Sequence, residues 1–131
     1  VIVVDASIAS EVLLSRSGAD AALERLFGRT EVLHAPQLFE VEVAHVIRGA
    51  WLEKEISDEA GEMAISFLRA FPIELHPHGH LLDRVWALRQ NVTAYDAVYV
   101  ALAELLDIPL ITRDRRLARS SGHSARIEYI P

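Results

Sequence analysis

Apolar and polar positions along the chain follow two rhythms. Short apolar or β-branched runs predict strands at Val1–Val4, Glu31–His34, Ile73–His76, Pro109–Thr112 and Arg126–Ile130. Apolar residues three and four apart predict helices at Ser7–Leu14, Gly18–Phe27, Gln37–Glu53, Ser57–Arg69, His80–Arg89, Ala94–Leu106 and Arg115–Ser120. Strands that alternate with longer helices predict a three-layer α/β/α fold, a parallel sheet covered on both faces. Within that frame, Val98, Val100, Ala101, Leu102 and Leu105 make one helix apolar nearly all round, so it is expected to be central and buried. Trp51 and Trp86 each stand at helical spacing from apolar neighbours, which points to core or dimer contact before base stacking.

The punctuation agrees with these boundaries. Pro36 suits the first turn of the third helix, where a missing N–H costs nothing. Ser57 is placed to cap the fourth helix. Thr93-Ala94-Tyr95-Asp96 has the layout of a capping box, with Asp in place of Glu. Asp107-Ile108-Pro109 ends that helix and leads into the next strand.

Composition adds bounds. A chain of 131 residues, 51 % hydrophobic, suits one domain spanning 1–131, and no repeat or linker interrupts it. No apolar run reaches the roughly 18 residues of a membrane helix. Val1–Val4 is too short for a signal-peptide core and is ended by Asp5. The absence of Cys excludes disulfides, thiolate metal sites and Cys catalysis, and makes the cytoplasm the expected location. A formal net charge of −6 is unlike that of a simple nucleic-acid binder. Yet Arg113, Arg115, Arg116, Arg119 and Arg126 crowd the C-terminal end, and Lys54 is the only lysine. Charge alone favours a solvated helix face there, although such a cluster can also grip phosphate.

The acids carry the chemistry. Ligands of open parallel sheets bind beyond the carboxyl ends of the strands. Asp5 directly follows the first strand and Asp114 follows Pro109–Thr112, so both fall on one rim. Asp96 lies in the first turn of the helix before that strand. The third helix adds Glu40 and Glu42, which flank its apolar face on opposite sides, being about 200° apart. At most one of them can enter a shared site, and periodicity does not choose. Singly, each acid reads as a helix cap or a solvated side chain. Together, carboxylates on one sheet edge repel unless a hard divalent cation balances them. Such an ion activates water and neutralises charge on a phosphate, which indicates phosphodiester hydrolysis.

At this point four stretches resemble the PIN domains, and among them the VapC-type toxins. They are Val3-Val4-Asp5-Ala6-Ser7, Glu42-Val43-Ala44-His45-Val46-Ile47-Arg48, Thr93-Ala94-Tyr95-Asp96 continuing through Ala103, and Leu110-Ile111-Thr112-Arg113-Asp114-Arg115-Arg116-Leu117. Each is modest alone, but the four stand in family order across nearly the whole chain. The resemblance selects Glu42 and implies an acidic quartet of Asp5, Glu42, Asp96 and Asp114 around one or two Mg²⁺ or Mn²⁺ ions. Asp5 and Asp96 would be the direct ligands. Glu42 would orient or deprotonate the attacking water, and Asp114 would support the metal or a water. Ser7 and Thr112 stand where hydroxyls hydrogen-bond the acids. The resemblance further implies strand order 3-2-1-4-5, a homodimer, an RNA substrate such as tRNA or rRNA, and inhibition by a VapB-type antitoxin. Arg113, Arg115, Arg116 and Arg119, beside Asp114, would hold the RNA backbone. His45 stands where many relatives carry Asn.

Rival readings fit less well. A phosphoryl-receiving signalling domain needs an acidic pair after the first strand and a Lys after the last, and an aspartyl-phosphate phosphatase needs Asp at the place of Ser7. A catalytically silent binding domain would have lost an acid, and all four are present. His76-Pro77-His78-Gly79-His80 offers alternating imidazoles, but Pro and Gly mark a turn and no Cys joins them, so it reads as an exposed connection.

Overall fold

The computed structural model describes residues 1–131. Five strands, β1 (Ile2–Val4), β2 (Leu33–Pro36), β3 (Ile73–His76), β4 (Leu110–Thr112) and β5 (Ile127–Tyr129), form one sheet in the order β3-β2-β1-β4-β5. Every pairing is parallel, with Val3 opposite His34 on one side and opposite Leu110 on the other. Seven helices connect them: α1 (Ala6–Leu13), α2 (Ala19–Phe27), α3 (Leu38–Leu52), α4 (Asp58–Arg69), α5 (Leu82–Ala87), α6 (Ala94–Leu106) and α7 (Arg115–Ala118). A short 3₁₀ turn, Gly79–Leu81, precedes α5. The expected three-layer fold and its strand order are present.

The strand order explains the layers. From β1 the chain moves outward through β2 to β3, then crosses back to β4 and out to β5. Right-handed crossovers in opposite directions put their helices on opposite faces. Accordingly α1 to α4 pack against one another, while α5 packs with α6, and α6 lies across β1, β2 and β4. The point where the direction reverses lies between β1 and β4. There the strand ends diverge and leave a crevice, the usual ligand site of such sheets.

Burial follows the apolar pattern. All residues of β1 are buried, as is α6 from Ala97 to Ala103. Tyr99, Phe39, Ile2, Ile8 and Leu26 are the bulkiest fully buried side chains. Two expectations change. Pro36 closes β2 instead of opening α3, because a strand end also tolerates a missing N–H. Gln37 makes the next bond in its place, to the His76 carbonyl at 2.9 Å. Of the core or dimer contact expected of the Trp residues, core packing is overturned, because both are exposed: Trp51 donates to Asp58 at 2.6 Å, and Arg89 stacks on Trp86 at 4.6 Å. No helix is long and apolar enough to cross a membrane.

Candidate active site

Asp5 occupies the N-cap position of α1, yet its carboxylate makes no capping bond. It is buried instead, and two hydroxyls converge on Oδ2, from Ser7 at 2.6 Å and from Thr112 at 2.8 Å. These hydroxyls are fixed in turn by backbone amides. Arg113 N donates to Ser7 Oγ and Asp114 N donates to Thr112 Oγ1, each at 3.0 Å. The ends of β1 and β4 are thereby tied together through one carboxylate at the crevice.

Asp96 reaches the same place from α6. Thr93 caps this helix by accepting from Asp96 N at 3.2 Å, but the Asp96 carboxylate does not return the bond, so only half of the capping box forms. Asp114 does cap: its Oδ1 accepts from Arg116 N at 2.8 Å, which orients the carboxylate at the start of α7. Glu42, from α3, accepts a 2.7 Å bond from Tyr99 OH. The choice left open by helical periodicity is thus made by Tyr99, a residue that the sequence pattern does not single out.

Burial and neighbouring charge act on these acids together. Burial raises the Asp5 carboxyl above its ordinary value, the Ser7 and Thr112 bonds oppose this, and the Asp114 charge adds to it. Burial also raises Asp96, reinforced by Asp5 and Asp114. Glu42 is pushed up to about 7, chiefly by burial, against the Tyr99 bond and with the charges of Asp5 and Asp96 added. Tyr99 is raised by its burial and by the facing Glu42. Asp5 thus acts on Glu42 and Asp96, and Asp114 on Asp5 and Asp96; none of Asp5, Glu42 and Asp96 forms a salt bridge with Lys or Arg, although the Arg116 charge partly offsets the rise at Asp96. Arg116 lies 3.8 Å from Asp114 and is exposed. Carboxylates and hydroxyls without thiolate form a hard oxygen donor set, which fits Mg²⁺ or Mn²⁺.

The arginines divide. Arg115, Arg116 and Arg119 line a polar groove of about 590 Å³ with Gln90, Asn91, Ser120 and Ser121. A smaller pocket shares Asn91 and Arg116 with that groove and is also lined by Asp96. Gln90 and Asn91 were not singled out from the sequence, since no motif marks them. Arg113 turns elsewhere, to Glu11 at 3.4 Å and to the Pro131 carbonyl, with its guanidinium filling the space that a side chain on Gly18 would need. His45 is exposed.

Comparison with known proteins fits this geometry. The PIN domain family model matches residues 2–122. Ribonuclease VapC12 of Mycobacterium tuberculosis is 43% identical over 129 residues, covering 98% of each chain. Ribonuclease VapC1 of the same organism is 40% identical, covering 98% of this chain and 96% of its own. Among solved structures, the sarcin-ricin loop cleaving toxin VapC20 of M. tuberculosis superposes with a TM-score of 0.71 at 14% identity, over 95% of this chain and 97% of that one. A toxin–antitoxin complex from Klebsiella pneumoniae contains a chain with a TM-score of 0.63 at 24% identity, 91% of each being covered.

Proposed function

The chain belongs to the PIN-domain family, and on that premise we propose that it is a divalent-metal-dependent endoribonuclease of the VapC kind, the toxin of a toxin–antitoxin pair. The observation that carries this reading is the tie of Asp5 to Thr112 and, through the Thr112 hydroxyl, to the Asp114 amide, with Glu42 and Asp96 near enough for the Asp5 charge to act on both.

Asp5 and Asp96 are the residues to hold the ion. When bound, Mg²⁺ or Mn²⁺ would neutralise charge on the scissile phosphate and help to activate water. Glu42 accepts the proton of the attacking water. Burial makes this carboxylate more basic than an ordinary one in the metal-free protein, which suits it to that task. Tyr99 fixes the carboxylate by its short bond to Oε1. The water oxygen bonds to phosphorus as the bond to the departing ribose oxygen breaks. Ser7 and Thr112 hold Asp5 in place. Arg115, Arg116 and Arg119 bind flanking phosphates along their groove, and the path leads past Asn91 to Asp96. The expected role of Arg113 becomes one of support: it braces the end of the chain, and its amide orients Ser7. A structured RNA, tRNA or rRNA, is the substrate class implied by the family resemblance.

The proposed partners, a VapB-type antitoxin and a second copy of the chain, find support in the outer face of α3 and α4. Exposed Trp51 lines a groove of about 680 Å³ between these helices, and Met63 and Phe67 are exposed on another side of α4, where Phe67 lines a separate apolar pocket with Val12, Leu13 and Phe27. The activity itself is tested by Asp5→Asn and Asp96→Asn. Each should reduce RNA cleavage by at least about 100-fold with the fold retained, and a chelator should stop the wild type. Full activity in either variant, or in excess chelator, would refute the assignment.

A further inference from the structure

Away from the crevice, the outer strand pair brings together a second set of donor atoms. His34 on β2 lies opposite Glu74 on β3 in the parallel register, and His76 is two residues further along β3. Residues two apart in a strand share a face, so all three side chains stand on one side of the sheet. His34 Nδ1 is 2.8 Å from His76 Nε2 and 3.6 Å from a Glu74 carboxylate oxygen, and one ligand atom from each residue lies within 4.8 Å of the other two. The His34 side chain is mostly buried, at 13 % exposure, whereas Glu74 is open to solvent at 67 %.

We propose that His34, Glu74 and His76 form a second metal site, selective for a Zn²⁺-class ion and independent of the crevice acids. Two imidazoles and one carboxylate are a donor set of open zinc sites, in which water takes the remaining position. Ligand atoms about 2.0–2.1 Å from a tetrahedral ion lie roughly 3.4 Å apart. The observed 2.8 and 3.6 Å separations bracket that edge, so occupancy needs the rings to part by about half an ångström and no change of backbone. In the metal-free protein one ring must donate a proton to the other, and the ion takes that proton's place. Imidazole directs the site toward Zn²⁺ and its late first-row neighbours, whereas the oxygen-only crevice suits Mg²⁺. The backbone ladder between β2 and β3 preorganises the ligands, and solvent reaches the ion on the Glu74 side. A bound ion would clip the edge strand to its neighbour. The spacing of imidazoles in His76-Pro77-His78-Gly79-His80 conceals this arrangement, because His76 finds its partners across the sheet instead of along the chain.

The test is Zn²⁺ titration of the whole chain by calorimetry, in millimolar Mg²⁺ so that the crevice acids are occupied. The wild type and an Asp5→Asn, Asp96→Asn double variant should each bind a single Zn²⁺, and Co²⁺ should give the intense visible absorption of a tetrahedral site. His76→Gln and Glu74→Gln should weaken Zn²⁺ by more than the roughly 10–100-fold that loss of an outer hydrogen bond costs. Both should still cleave RNA. Glu74 is exposed, so its replacement leaves packing untouched and separates ligation from folding. Absence of Zn²⁺ binding in the wild type would overturn the proposal. So would binding that survives His76→Gln and Glu74→Gln, or that disappears in the Asp double variant. Loss of cleavage in the Asp variant with Zn²⁺ binding intact bears only on the nuclease reading.

Discussion

Glu40 and Glu42 lie two residues apart on α3, yet only Glu42 meets the buried hydroxyl of Tyr99. Nothing local distinguishes them, since the distinction depends on a helix more than fifty positions away. The same holds for Asp5, whose cap position suggests a routine role that its hydrogen bonds deny. The Tyr99 bond favours the charged form of Glu42 and so works against burial. Tyr99→Phe should therefore raise the Glu42 carboxyl further above about 7. A charged hydrogen bond of about 1.5 kcal/mol corresponds to roughly one pH unit. The acidic limb of the kcat/KM–pH profile for RNA cleavage should move up by about that amount, with activity recovering at higher pH. A uniform loss at every pH would assign Tyr99 to packing alone.

Elements were legible where pattern and punctuation coincide. The bounds of β3 and α6 match the apolar pattern, and Ser57 caps α4 by accepting from Ala60 N at 3.1 Å. Strand β2 was displaced by two residues because Pro36 satisfies two rules at once, and because Glu31 pairs with Arg25 and the N-terminus instead of entering the sheet. Helix α6 holds both Asp96 and Tyr99, three residues apart and hence on neighbouring positions of one face. Its Thr93 cap thus underlies two site residues. Thr93→Ala should cost about 1 kcal/mol and lower Tm by roughly 3–5 °C. Cleavage should fall as well, because fraying begins within a turn of Asp96, and calorimetry with steady-state kinetics on one sample checks both effects. Helix α7 places Arg115 and Arg116 in its first turn, with Arg116 lining the same small pocket as Asp96. Charge reversal at Arg115 and Arg116 should weaken RNA binding and flatten its salt dependence by about 0.7–0.9 for each phosphate no longer neutralised. Arg113→Ala should act through stability instead, since its partners are Glu11 and the chain end.

At the scale of the molecule, topology concentrates like charge where the sheet reverses direction, and the metal-free fold bears the repulsion. Asp5, Glu42 and Asp96 all bind protons more tightly folded than unfolded. Stability from these groups is greatest at low pH and is lost as pH rises from the ordinary carboxyl range, near 4, toward about 7, where Glu42 ionises. Glu104 acts in the opposite sense. Its bonds to Arg84 hold it at about 2, so its contribution is present at neutral pH and is lost only in strong acid. Without divalent ions, Tm should pass through a maximum near about pH 5 and decline toward pH 8. After allowance for solvent screening, the accompanying loss of stability should amount to about 1–2 kcal/mol. Millimolar Mg²⁺ should flatten that limb, because an ion that balances the carboxylates removes the reason for their protonation. Asp5→Asn should make it shallower without Mg²⁺, since one buried carboxyl and its charge on Glu42 and Asp96 are removed while their burial remains, and should blunt the response to Mg²⁺. A limb that is unchanged by both would mean that the acids do not share a cation, whatever their proximity.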